Sequence, residues 1–373
     1  MAKLLVNALS ATNPSGLHVL RGHVGQLADA LRGRLRIVVL GRTEMTALRA
    51  ELGERVDWEF APAATRGWLF RAVWEFARLG RILKKHGAGL YFTPSGIAAH
   101  VPADIRQIVF CQNPWALVPA ARRHRDFVKA WLQRRAYRRA MHAADAMVFN
   151  SRYMQAAYRV NAGCEEKRGL VVYQAADDAT RARAAAADVP HLPNQILCVS
   201  VMGPHKNAET LVRALREVRS THPAARLVFA GSWPDPAYEG KIRDLVAALD
   251  LGSAVEFAGF VARERLDRLY AESRVFCLMS RCESFGIPAI EAQLFGTPVV
   301  SSTVCAIPEI CGAGGLFRDP DDVAGTAAAL RTLLEDDAGW KRFSAAARTN
   351  AARFTWNECS RPLIGLVAEL AGG

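Results

Sequence analysis

The stretch RVFCLMSRCESFGIPAIEAQLFGTPVV, residues 274–300, is where the chain declares its architecture. Residues 275–280 are apolar without alternation, as in a parallel strand buried on both faces. A short loop follows. Pro288 suits the first turn of a helix, where its missing amide hydrogen is not needed, and Gly296 ends that helix. TPVVSS then begins another strand. In the loop, Gly286 permits close backbone approach by a ligand. The amides of Phe285, Gly286 and Ile287 stand at the helix N-terminus, where free donors and the helix dipole favour a phosphate. Glu283 precedes the helix and Glu291 lies on its first turns, with seven residues between them. Both carboxylates can reach one elongated ligand, and carboxylates accept hydrogen bonds from sugar hydroxyls. Taken alone, the two glutamates also read as exposed charges flanking a helix.

The same rhythm extends in both directions. Upstream, KLLVNAL, LRIVVLG, AGLYFT, RQIVFC, DAMVFN and GLVVY read as strands. Between them lie helical patterns such as HVLRGHVGQLADALRG and RGWLFRAVWEFARLGRILKKHG, with Gly80 and Gly87 as expected breaks. In the second half QILCVSV, ARLVFAG, AVEFAG, RVFCLMS, TPVVSS and GGLFR are strands, again with helices between. The fold class is therefore α/β, with two doubly wound parallel-sheet units. Residues 175–190, AADDATRARAAAADVP, carry no strand-like run and end in Pro, and read as the linker. Open parallel sheets bind ligands at the carboxyl ends of their strands, so two such units imply a central cleft.

Composition agrees with a chain that buries a large core. Of 373 residues, 51% are hydrophobic and 23% charged, which argues against a disordered or fibrous protein. No apolar run reaches the ~18–20 residues of a membrane-spanning helix. The opening MAKLLVNALSATNPSG reads as a first strand and not as a secretion signal, so the expected location is cytoplasmic. Eight cysteines are scattered without C-x-x-C spacing or a Cys/His cluster, which argues against a disulfide scaffold and a structural zinc site. Charge is uneven. Residues 1–190 hold 29 Lys/Arg against 15 Asp/Glu, a net of +14, while residues 191–373 hold 19 against 21. The basic residues are densest over 122–139, where eight Lys/Arg share one expected helix with Phe127, Trp131, Leu132 and Tyr137 as a partial apolar face. A solvated helix face and attraction to anionic lipid or a lipid-linked diphosphate both fit this segment. Nucleic acid fits poorly, because no recognisable nucleic-acid motif accompanies the charge.

Glu, seven residues, Glu, with SFGIPAI between, resembles the donor motif of retaining family 4 glycosyltransferases, which have the GT-B fold. The neighbours agree in order and spacing: VSVMGPHKNAETLVRAL (199–215), ARLVFAGSW (225–233), VEFAGFV (255–261), IPEICGAGGLFRDPDD (307–322) and FTWNECS (354–360). The resemblance covers nearly all of 191–373. It implies an N-terminal acceptor-binding domain over 1–180 and a nucleotide-sugar-binding domain over 190–355. A C-terminal helix over 356–373 would pack back on the first domain. Glu291 would bind the ribose hydroxyls, and Glu283 the hydroxyls of the transferred sugar. Ser284, Phe285, Gly286 and Ile287 would hold sugar and phosphate, Lys206 would neutralise the diphosphate, and Phe260 would line the base pocket. Fixed cationic and backbone donors stabilise charge on the leaving diphosphate without a metal or cofactor.

The first half matches less closely. Only Gly16 remains of the family's Gly-Gly loop near the donor phosphates. DAMVFNSRYMQAAY (145–158) matches the family's strand-to-helix element, with Ser151 expected as a helix N-cap. Gln112 and Asn113 stand where the family places a catalytic histidine, and would orient sugar or acceptor hydroxyls. His18 is the candidate replacement on the acceptor side. The family's arginine five residues before Lys206 is Val201 here, with His205 as a candidate substitute. The resemblance implies a metal-independent, retaining hexosyltransferase that uses a GDP-, UDP- or dTDP-linked sugar. Its acceptor would be a lipid-linked glycan in polysaccharide or lipopolysaccharide biosynthesis, and the protein would dock peripherally on the inner face of the plasma membrane through the 122–139 helix. Two other readings keep the fold: a non-catalytic nucleotide-sugar-binding partner subunit, and a nucleotide-sugar epimerase.

Overall fold

The computed structural model describes residues 1–11, 14–119 and 126–372. Among them the chain forms two compact units, the first mainly from residues 1–117, 126–175 and 356–372, the second mainly from 176–355. The first unit contains strands β1 (Ala2–Asn7), β2 (Leu35–Gly41), β3 (Asp57–Phe60), β4 (Leu90–Thr93), β5 (Arg106–Cys111), β6 (Ala146–Phe149) and β7 (Gly169–Val171). They form a sheet in the order β3-β2-β1-β4-β5-β6-β7, every pairing parallel. The second unit holds β8 (Leu192–Val199), β9 (Arg226–Ala230), β10 (Val255–Gly259), β11 (Ser273–Leu278), β12 (Val299–Ser302) and β13 (Gly315–Arg318). Their order is β10-β9-β8-β11-β12-β13, again all parallel. Both sheets are doubly wound α/β sheets with helices between successive strands, except that a turn-rich loop joins β4 to β5.

The continuous apolar character of the strands has a direct cause. In β1, Leu4 and Val6 point to one face and Leu5 to the other, because side chains alternate along a strand. On the first face Leu4 and Val6 join Val19 and Val24 of the Pro14–Ala30 helix and Leu363 and Leu366 of the Trp356–Gly372 helix. On the second face Leu5 meets Val38, Tyr91 and Leu79 and Leu83 of the Trp68–His86 helix. Both faces are covered, so neither can carry polar alternation. The Trp356–Gly372 helix sits on the Pro14–Ala30 helix so closely that a Cβ at Gly22 would stand 2.3 Å from the Trp356 ring. The His23 ring packs edge-on against both Trp356 and Phe110 in the same layer.

Some expectations need correction. Residues 175–190 are not a bare linker: Asp178–Ala186 is a helix of the second unit, with Thr180 and Ala184 buried and Arg183 paired to Asp267. Its run of small and charged residues hides the apolar face. Gly80 lies inside the Trp68–His86 helix and does not break it, whereas Gly87 ends it in a left-handed conformation (φ 61°). Strand β3, DWEF, escapes a search for apolar runs because it is a half-exposed edge strand. The basic segment expected over 122–139 is helical from Phe127 to Ala143, and its residues 122–125 lie outside the described residues. Tyr137 does not belong to the exposed apolar face of that helix, because it is fully buried. Ser151 does cap its helix, accepting from the Met154 amide at 3.2 Å.

Candidate active site

The expected ligand loop runs from the end of β11 into the helix Ile287–Leu294. Gly286 caps that helix with φ 100°, and a Cβ there would stand 2.2 Å from Ile307 Cδ1. Glycine is thus required twice over, by backbone sign and by space. Pro288 occupies the first turn, as expected. The Phe285 side chain is buried edge-on against Phe354, 5.6 Å between ring centres, which anchors the loop from below.

Across from this loop, β8 leads into a short 3-10 turn, Pro204–Lys206. Two bonds staple turn to loop: the Arg281 amide donates to the His205 carbonyl at 2.8 Å, and Ser280 Oγ donates to the same oxygen at 3.1 Å. The turn thereby delivers Lys206 Nζ onto Glu283 Oε1 as an ion pair between two largely buried side chains. Lys206 and Glu283, 77 residues apart in sequence, are neighbours in the structure. Strand ends beside them are held tightly, with Ser200 N donating to Ala230 O at 3.1 Å and Gly231 N to Gly259 O at 2.7 Å. A Cβ at Gly231 would lie 1.9 Å from the Ser200 carbonyl oxygen.

Glu291 is not a surface charge. It is 9% exposed, and both its oxygens are engaged. Arg263 Nη1 donates to Oε1 at 2.8 Å and the Tyr270 hydroxyl to Oε2 at 3.0 Å. Arg263 in turn donates to Asp267 at 2.8 Å, and Asp267 also pairs with Arg183. Burial alone would lower the Arg263 pKa; the Glu291 and Asp267 carboxylates outweigh it and raise it. The Tyr270 hydroxyl is pushed well up, by burial first and then by Glu291. Tyr270 therefore stays a donor, and the Glu291 carboxylate is fixed in orientation with its remaining lone pairs available. Arg263 and Tyr270 went unnoticed in the sequence because neither lies in the Glu motif; their ranges are set by the fold.

Other expected residues are placed less informatively. Phe260 follows β10 and is 88% exposed, so it plays no part in the core. Ser284 lies in the loop beside Glu283. Val201 is exposed and brings no charge. His205 does not replace the missing arginine: burial first, then Lys206, pulls its pKa down to about 4, so it is neutral at pH 7. The cation near the loop that the sequence reading passed over is Arg281, two residues before Glu283 and paired with Asp321.

The remaining expected residues belong to the first unit. Gly16 is buried in the Pro14–Ala30 helix. His18 bonds the Ala175 carbonyl through Nε2 at 2.7 Å and Arg21 through Nδ1 at 3.1 Å, and tilts against Trp356. Gln112, just beyond β5, donates to the Pro94 carbonyl at 3.1 Å. Asn113 is exposed, and its Oδ1 accepts from the Trp115 amide at 3.0 Å in an Asx turn. Among the described residues no three His, Cys, Asp or Glu side chains converge as a metal site requires.

Residues 182–350 match the sequence profile of the family described as Glycosyl transferases group 1. The O-antigen chain mannosyltransferase B of Escherichia coli is 33% identical over 172 residues, 45% of this chain and 44% of that protein. The D-inositol 3-phosphate glycosyltransferase of Kineococcus radiotolerans is 33% identical over 237 residues, 57% of this chain and 54% of that protein. The chain thus matches about half the length of these relatives. The crystal structure of Anabaena HepE in complex with UDP and glucose superposes with a TM-score of 0.70 at 18% identity, covering 99% of this chain and 100% of that one. The profile marks residues 182–350, most of the second unit, as similar to the group 1 glycosyl transferases, and the two parallel sheets have the GT-B fold.

Proposed function

We propose that the chain is a metal-independent, retaining glycosyltransferase that moves a hexose from a nucleotide sugar to a hydroxyl of a lipid-linked glycan, for polysaccharide or lipopolysaccharide assembly. The observation that carries this is the Lys206–Glu283 pair set against the glycine-capped N-terminus of the Ile287–Leu294 helix. An ammonium, three amides at a helix N-terminus and a carboxylate are the groups that a sugar diphosphate requires. The relatives named for mannosyl and inositol-phosphate glycosyl transfer, and the neighbour holding UDP and glucose, support a nucleotide-sugar donor.

In this mechanism the bond between sugar C1 and the diphosphate oxygen breaks while the acceptor oxygen bonds to C1 on the same face. The acceptor proton passes to the leaving phosphate oxygen, so the products are a glycoside and a nucleoside diphosphate. Lys206 and the 285–287 amides stabilise the charge that builds on the leaving group. Glu291, held by Arg263 and Tyr270, orients the ribose. Glu283 is already engaged by Lys206, which favours hydrogen bonding to sugar hydroxyls over nucleophilic attack. Gln112 and Asn113 supply neutral donors for acceptor hydroxyls. The test is release of nucleoside diphosphate that requires both donor and acceptor. A protein that converts the donor without acceptor, or binds it without release, sinks the proposal.

Peripheral membrane docking is supported by two helices of the first unit. On Phe127–Ala143, Phe127, Val128, Trp131 and Leu132 are exposed beside Lys129, Arg135 and Arg139. On Trp68–His86, Leu69, Val73 and Phe76 recur at helical spacing and are exposed on the first turns, whereas Leu79, Ile82 and Leu83 further along are buried. Apolar side chains flanked by cations match an anionic bilayer surface. No helix among the described residues is long and apolar enough to cross a membrane. Sedimentation with phosphatidylglycerol vesicles at low salt should exceed that with phosphatidylcholine; equal sedimentation removes this part of the reading.

A further inference from the structure

Arg42 directly follows β2, at the carboxyl edge of the first unit's sheet, and is 5% exposed. Its Nη1 donates to the Leu9 carbonyl at 2.9 Å. Arg71 Nη1 donates to the same oxygen at 3.1 Å. Arg66, the last residue of the 3-10 turn Ala63–Arg66, is exposed and lies near enough to oppose the charge on Arg42, as Arg71 also does. Among the described residues none of the three forms an ion pair with a carboxylate. Glu44 acts on Arg42 from a distance. Glu75, near Arg71, is a poor counterion: burial raises its pKa, and its Oε1 already accepts from Asn7 at 3.0 Å.

A guanidinium cannot shed its proton to escape burial. A buried charge with no directly paired anion is costly; Glu44 offsets part of that cost for Arg42, and the two neighbouring cations add to it. No carboxylate pairs directly with any of the three among the described residues. The planar donor fork of arginine matches phosphate oxygens two at a time, and the carboxyl edge of an open parallel sheet is where ligands enter. The second unit has its own cation and amides for a donor diphosphate. We infer that Arg42, Arg66 and Arg71 clasp a phosphate group carried by the acceptor; the clasp stands on its own geometry, while its assignment to the acceptor rests on the glycosyl-transfer reading.

The experiment follows glycerol 3-phosphate by phosphorus NMR against the full-length protein, with UDP binding measured in parallel by calorimetry. Saturable binding of glycerol 3-phosphate is expected, and none of glycerol. Arg66→Gln and Arg71→Gln should each weaken it about tenfold or more, since a charged hydrogen bond contributes ~1.5–3 kcal/mol. Arg66→Lys should recover part of the loss, and Lys206→Gln should leave phosphate binding unchanged while weakening UDP. Arg66 is exposed and makes no side-chain hydrogen bond, so its variants keep the fold. Displacement by phosphatidylglycerol vesicles would assign the phosphate to a lipid, and displacement by soluble sugar phosphate alone to a soluble acceptor; both require the clasp. Absence of saturable binding, or equal affinity in Arg66→Gln, Arg71→Gln and wild type, overturns it. If UDP fails to bind but phosphate still follows the arginines, the donor reading falls and the clasp stands.

Discussion

The carboxyl edges of the two sheets handle charge in opposite ways. In the second unit Lys206 meets Glu283, and Arg183, Asp267, Arg263 and Glu291 alternate in sign along a chain. In the first unit Arg42 and Arg71 share one carbonyl, with Arg66 close by. The difference separates two kinds of binding site. One is preorganised: its groups hold each other in place, and an incoming ligand must compete with an internal partner. The other stores repulsion, which a ligand of the right sign relieves.

The comparison can be broken in several places. The largest effect concerns stability and contrasts the buried His23 with the half-buried His205. His23 is fully buried in the first unit, and burial followed by His18 lowers its pKa to about 3. The unfolded chain binds a proton there near pH 6.5 and the folded chain does not. Stability is therefore full above pH 6.5 and falls as pH drops toward 3, by up to roughly 4 kcal/mol. His205 contributes in the same direction but less, because its pKa is about 4. Denaturant melts from pH 7.5 to 4 should show the slope, and His23→Leu should flatten most of it. A His23→Leu slope equal to wild type would mean the ring is not held neutral.

Next is Lys206→Ala. If the paired site is the catalytic one, kcat for acceptor-dependent nucleotide release should fall ~100- to 1000-fold, the usual cost of removing a fixed donor to developing charge. Unchanged turnover would rule out the assignment of that site. Gly22→Ala tests the packing of the first unit, where the new methyl meets the Trp356 ring; a loss of ~1–3 kcal/mol is expected in thermal or denaturant melts. Arg263→Met sharpens the preorganisation claim. Glu291 would lose its anchor, so donor KM should rise about tenfold with a smaller change in kcat. Equal losses in kcat and kcat/KM would place Arg263 in the transition state instead. The smallest effect is expected from Val201→Arg. This exposed position accepts the substitution, and the added charge should tighten nucleoside diphosphate binding about threefold, less than 1 kcal/mol. Weaker binding would show that position 201 lies away from the phosphates.

Much of the fold is legible from residues because parallel strands covered on both faces have no polar side to hide them. LRIVVLG is read directly as β2, and RQIVFC as β5. DWEF is not, because an edge strand sheds that requirement. The Asp178–Ala186 helix is missed for a related reason: alanine serves equally on a buried face and an exposed one. At the candidate site, Glu283, Gly286 and Glu291 are legible because loop geometry and charge are local. Lys206, 77 residues away, is legible only through the resemblance, and Arg263, 28 residues away, is not legible at all, because the fold alone brings it to Glu291. Arg42 and Arg71 look like ordinary surface cations in the sequence. Only their meeting at the Leu9 carbonyl distinguishes them.

The Trp356–Gly372 helix supplies Leu363, Leu366 and Val367 to the core of the first unit. That core cannot close until residues 356–372 have left the ribosome, although β1 is made about 350 residues earlier. The second unit, by contrast, is complete in sequence once residue 355 has emerged. Domains ordinarily mature from the N-terminus onward; here the later unit can finish first, and the earlier one waits with an uncovered apolar layer. The apolar layer of the first unit is covered only when the Trp356–Gly372 helix docks on it.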